Sequence, residues 1–209
     1  MNRKQFTMFE LAAIMVVVAV FAALTMPAVV RAQAEAAEAT CAGNQKQIMA
    51  AALAYAADYK GYIAPANFDS LSWPSYLAGM KRIKGGATMG KKSYLKAKSS
   101  AYFCPDEPVV TNISYSVSRT FYTKGKGLTL TVEQMNPSLI YVADVNPASI
   151  KITGSPSFMP KRVSATGKGW GEAYLRHDDK INVGKIDGSV EMLDEQTFKT
   201  DNKYWNVAK

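Results

Sequence analysis

"KQFTMFELAAIMVVVAVFAALTMPAVV", from Lys4 to Val30, contains one acid, Glu10, and then no charged residue until Arg31. As a helix, residues 11–30 measure about 30 Å, the thickness of bilayer hydrocarbon. Arg3 and Lys4 precede the run, so the positive-inside bias places the N-terminus in the cytoplasm and the rest of the chain across the membrane. Pro27, near the far end, removes a backbone donor and is expected to loosen or kink the helix. An acid where hydrocarbon begins is costly unless it snorkels to the headgroups or finds a positive partner.

Two simpler readings compete with a functional role for the acid. Ala32, Gln33 and Ala34 fit an A-x-A cleavage site, as in a secretory signal peptide. The apolar run is longer than such signals usually carry, and Arg31 intrudes before the supposed cut. A plain signal anchor explains everything except Glu10.

The chain has 209 residues, enough for one ordinary domain after a membrane segment. Its net charge of +8 would suit nucleic acid or anionic lipid, but many exported proteins are equally basic. Two cysteines, Cys41 and Cys104, have neither zinc-site nor CxxC spacing. In an exported chain they either pair, stapling the domain to its helix, or remain two buried thiols.

From Arg31 to Tyr59 good helix formers dominate, and Ile48, Ala52, Tyr55 and Tyr59 share one face. Gly61 supplies a stop. Residues 6–60 are therefore expected as one helix, half in lipid and half amphipathic. Beyond it, "NISYSVSRTFY" alternates as a half-buried strand, "SLIYVADV" suits a buried strand, and "KINVGKIDGSVEML" reads as a hairpin around Asp187-Gly188.

Three stretches carry a resemblance. "FTMFELAAIMVVVAVFAALTMPAVV" resembles the N-terminal segment of type IV pilins and type II secretion pseudopilins. "CAGNQKQIMAAALAYAADYKGYIAP" is similar to the corresponding stretch of pseudopilin-like proteins of the DUF1559 group, with Cys41, Asn44, Lys46, Gln47, Ile48, Tyr55, Asp58 and Gly61 at the matching places; "YFCPDE" around Cys104 resembles that group's FxCPS. His177, nine residues and Asp187-Gly188 match the group's His-x9-Asp-Gly signature, although Asp178, Asp179 and Lys180 replace its glycine-rich stretch and Ser189 replaces a His.

The resemblance implies cutting by a prepilin peptidase between Gln5 and Phe6, with Gln5 standing where Gly is usual, and methylation of the new amine. It implies that Glu10 pairs with the amine of a neighbouring subunit, and that Pro27 is the helix-loosening proline. The implied partners are copies of the chain and other pilin-like subunits, the peptidase, an inner-membrane assembly platform and lipid. The implied product is a pilus-like or pseudopilus-like filament in the cell envelope.

Chemistry elsewhere is sparse. His177 with Asp178, Asp179 and Asp187 could form a metal or acid–base cluster, though a lone His in a hairpin is more often a hydrogen-bonded structural group. The oxygen-rich set would suit calcium, which the major pseudopilins hold, but their calcium-loop motif is not recognisable, and no metal or cofactor is assigned. "GGATMGKKS" nearly spells a phosphate loop, but Lys92 stands at the Ser/Thr place. Residues 81–98 carry seven Lys or Arg and no acid, either a solvated loop or a contact for headgroups, a neighbour or DNA. Nucleic acid is not the expected partner, and no catalytic constellation is visible.

The expectation is an α+β chain. Residues 1–5 are a leader, 6–60 a long helix with its membrane span at about 11–30, and 61–209 an antiparallel, β-rich, pilin-like domain outside the membrane. The alternatives are an exported binding domain on a signal anchor or behind a cleaved signal, and a DNA-uptake pilin acting through the basic loop.

Overall fold

A computed structural model describes residues 7–68, 71–83, 86–89, 92–96, 98–106, 113–121, 129–146, 157–158, 160–164 and 172–208. The expected cut between Gln5 and Phe6 lies outside these residues. So does Lys91.

One helix, α1 (Met8–Asp58), runs without interruption through Pro27, which offers no N–H to the Ala23 carbonyl. It ends two residues before the expected Lys60. Lys60 and Gly61 both turn to positive φ, and the Gly61 N–H closes on the Ala56 carbonyl at 2.8 Å. The chain forms two compact units, Met1–Ala37 and Glu38–Lys209, so the division falls inside α1. In the first unit, every described residue from Thr7 to Val30 is exposed. This is the one stretch among the described residues that is long and apolar enough to cross a membrane.

In the second unit, short elements follow α1: β1 (Asn67–Phe68), β2 (Leu71–Ser72), α2 (Trp73–Leu77), β3 (Met80–Ile83) and β4 (Gly86–Met89). Then come β5 (Tyr115–Ser118), β6 (Ile140–Asp144), β7 (Ser157–Phe158), β8 (Val163–Ser164) and β9 (Ala173–Tyr174). The chain closes with β10 (Lys180–Lys185), β11 (Val190–Asp194) and α3 (Glu195–Thr200). The main sheet has the order β11-β10-β6-β5-β7. It is antiparallel except for the edge strand β7, which runs parallel to β5.

Each face of this sheet carries its own core. On one, the C-terminal half of α1 packs over Tyr115, Val117, Tyr141 and Val142. On the other, Phe198 of α3, Tyr204 and Phe158 pack over Ile140, Ala143, Ile181, Val183 and Leu193. Coverage on both faces corrects the half-buried reading of β5: Ser116 and Ser118, assigned to solvent by their polarity, are fully buried. A register shift places Gly184 opposite Val142 but Lys185 opposite Ile140, leaving Tyr141 as the extra residue of a bulge in β6. Both Tyr141 and Val142 therefore join the core beneath α1.

Asp187-Gly188 forms the turn between β10 and β11, with Gly188 at φ +84°. A second tight turn joins His177 to Lys180 through Asp178 and Asp179, both at positive φ. Two residues in that conformation match the twist of a hairpin, and aspartate tolerates it better than most side chains.

Candidate functional site

At the head of α1, Thr7 and Glu10 cap each other. Glu10 Oε2 accepts from the Thr7 N–H at 2.9 Å and from the Thr7 hydroxyl at 3.0 Å, while Thr7 Oγ1 accepts from the Glu10 N–H at 3.3 Å. This is the reciprocal capping box of a T-x-x-E sequence. The pattern stands openly in "TMFE", and it gives Glu10 a partner within its own chain, beside any it finds at the membrane boundary. Behind it, Met8, Phe9, Leu11 and Phe21 are each more than half exposed. The head of the helix thus combines a locally satisfied carboxylate with a broad apolar surface.

The second cluster lies where α1 meets the sheet. Cys41, Gln45, Met49 and Leu53 fall at four-residue intervals, hence on one stripe of the helix. Each meets the chain of β10 or a turn at its end. Cys41 is joined to Cys104, whose sulfur lies 3.8 Å from His177 Nε2. Gln45 Nε2 donates to the Asn182 carbonyl at 2.9 Å. A Cβ on Gly184 would come within 2.7 Å of Met49 Cγ, and one on Gly188 within 3.1 Å of Leu53 Cδ1. From Gln45 to Met49 the helix rises about 6 Å and from Asn182 to Gly184 the strand advances about 6.6 Å, so the two keep step at the middle of the seam.

Polar groups anchor the middle of the seam. Asp144 is fully buried; its Oδ1 accepts from Gln45 Nε2 at 3.1 Å and its Oδ2 from the Asn182 N–H at 2.9 Å. Burial pushes the Asp144 carboxyl up to about 7, against the pull of the nearby Arg176 guanidinium and those two donors. One residue earlier on the helix, Asn44 Nδ2 donates to the Phe103 carbonyl at 2.8 Å and to the Tyr115 hydroxyl at 3.4 Å. Lys46 and Gln47, which belong to the resemblance pattern, are exposed, whereas Gln45 between them and Asn44 is buried.

The acids grouped around His177 by sequence proximity are not brought to it. Asp178 and Asp179 are exposed in their turn, and Asp187 Oδ1 accepts from the Ser189 N–H at 2.8 Å within its own. The carboxylate near His177 is Asp106 of "YFCPDE", 4.0 Å from Nδ1. Burial holds the imidazole below its usual pKa, with Asp106 opposing that shift. Cys41, Cys104 and His177 bring their ligand atoms within 4.8 Å of one another, but each sulfur is bonded to the other and neither is available to a metal.

Of the basic stretch, Lys92 is committed to the end of α1. Its Nζ lies 2.5 Å from Asp58 Oδ2, which also accepts from the Tyr94 hydroxyl at 2.7 Å. Searches among protein-family models, curated proteins and solved structures find no match to this chain.

Proposed function

We propose that the chain is a pilin-like structural subunit, held in the cytoplasmic membrane by residues 11–30 and withdrawn from it into an envelope filament of like subunits. Its partners are further copies, related subunits, a prepilin-type peptidase acting between Gln5 and Phe6, and an inner-membrane assembly platform. It carries no catalysis of its own. The observation that bears this reading is the exposed apolar surface from Met8 to Val30 with a carboxylate at its head. Such a surface is stable in lipid or against equivalent helices, but not in water.

In the filament, apolar helices bundle inside, and Glu10 neutralises the Phe6 amine of a neighbour as polar groups leave the membrane interface. Sequencing the N-terminus of the mature protein tests the premise. A start at Phe6 is expected; a start at Glu35 would make the chain a secreted domain, and an intact Met1 a permanent anchor. Lys92, one of the two lysines on which DNA binding by the basic loop would rest, pairs with Asp58 beside Tyr94 while its side chain stays 64% exposed.

A further inference from the structure

We propose that His177 is the base that makes Cys104 the resolving thiolate when the Cys41–Cys104 bond is formed. Three features of the chain support this assignment. His177 Nε2 faces Cys104 Sγ at 3.8 Å, and both residues are buried. Nδ1 faces the Asp106 carboxylate at 4.0 Å. That pairing favours the tautomer with the proton on Nδ1, which leaves the Nε2 lone pair toward the sulfur. Burial and Arg176 favour the uncharged ring, while the Asp106 carboxylate favours the imidazolium that forms when the ring takes a proton.

The pair also assembles from segments other than α1. The Cys104 N–H is held by Ser114 Oγ at 2.9 Å, and the backbones of His177 and Lys180 bond each other in both directions. Cys41 is the sulfur that arrives with the helix. In the closed structure both sulfurs are fully buried, so an external disulfide can reach Cys41 only before α1 settles on the sheet.

The sequence of steps follows. The Cys41 thiol attacks an external disulfide, R–S–S–R, giving Cys41–S–S–R and one RSH. As the helix docks, Cys104–SH gives its proton to His177 Nε2, and the thiolate attacks Cys41 Sγ. The bond from Cys41 to the external sulfur breaks with its electron pair on RS⁻, which takes the proton from the imidazolium. The two electrons lost by the cysteines reduce R–S–S–R to two RSH. Asp106 is a positioning residue, acting only through the imidazole.

The test uses the full chain, reduced in denaturant, returned to detergent micelles and oxidised with oxidised glutathione. Acid quenching and mass analysis then follow each species. In the wild-type chain glutathione is expected on Cys41 only transiently. In His177→Gln, closure at pH 7 should slow by roughly tenfold, since an unassisted thiol of pKa about 8.5 is only a few per cent ionised there. Glutathionylated Cys41 should accumulate, and the deficit should vanish at about pH 9, where the thiol ionises unaided. Asp106→Asn, at a half-exposed side chain, should slow closure by a smaller factor with the same recovery.

A His177→Gln chain that closes at the wild-type rate at pH 7 overturns the proposal. So does one equally slow at both pH values, which would mark a folding role only, or an adduct that collects on Cys104. If His177→Gln does not refold, Asp106→Asn decides by the same pH comparison, and wild-type closure at pH 7 refutes the assignment.

Discussion

At Glu10, two explanations for a carboxylate beside an apolar helix make different demands on the side chain. Capping requires an oxygen that accepts from the Thr7 N–H, and a glutamine supplies one. Neutralising a neighbour's amine requires charge. On the proposed pilin-like function, Glu10→Gln should therefore retain the start of the helix and the membrane location yet fail to enter filaments, whereas Glu10→Ala loses both the cap and the charge. Filament yield from sheared cells, set against membrane-fraction content, separates the two. Normal filaments from Glu10→Gln would leave capping as the whole explanation. Gly184 makes a steric demand instead: a Cβ there would stand 2.6 Å from Val142 Cγ1 and 2.7 Å from Met49 Cγ. Gly184→Ala should lower the unfolding free energy by about 1–3 kcal/mol through overpacking, read from urea denaturation of the full chain in micelles.

The seam between α1 and β10 is the element on which the second unit turns. Gln45 is its polar centre, and truncation would strand a buried carboxylate oxygen and the Asn182 carbonyl without their shared donor. Gln45→Ala should cost about 1–3 kcal/mol by the same denaturation assay, while Gln47→Ala, on an exposed position two residues away, should leave stability within about 0.5 kcal/mol. The disulfide closes a loop across 63 residues of sequence, and the chain-entropy model assigns such a closure roughly 4 kcal/mol. A Cys41→Ser, Cys104→Ser chain should unfold at a correspondingly lower urea midpoint. An unchanged midpoint would mean that docking of α1 relies on the rest of the seam, Gln45, Met49 and Leu53.

For the molecule as a whole, Asp144 and His177 impose opposite pH dependences. The Asp144 carboxyl titrates near 7 when folded against 3.8 as its ordinary value. Between those values the folded chain holds a proton the unfolded chain has lost, so Asp144 lowers stability as pH rises through that window. The folded imidazole of His177 lies below its ordinary 6.5, so the unfolded chain holds the extra proton and stability rises toward pH 6.5. Acids whose folded pKa is depressed, such as Glu191, contribute fully above their ordinary value of 4.5, so among the described residues pH 5 to 7 is left to these two groups. His177→Gln should therefore show a urea midpoint that falls from pH 5 to 7. Asp144→Asn should show one that rises up to pH 6.5. The same slope in both variants would contradict these assignments.

The long apolar helix, its amphipathic continuation through Ile48, Ala52 and Tyr55, the β6 strand and the Asp187-Gly188 turn were all legible along the chain. Each depends on local periodicity or on the conformational preferences of one or two residues. The Thr7–Glu10 cap was equally local and could have been read from the four letters that contain it. Burial of Ser116, Asp144 and Gln45, by contrast, has no local signature: a polar residue reads as solvent-facing until two segments distant in sequence close over it. The same holds for His177, whose sequence neighbours are acids but whose spatial neighbours are Cys104 and Asp106. Partners 70 or so residues away meet where the Cys104 loop and the turn ahead of β10 are brought together by the tertiary fold, a juxtaposition that no local periodicity encodes.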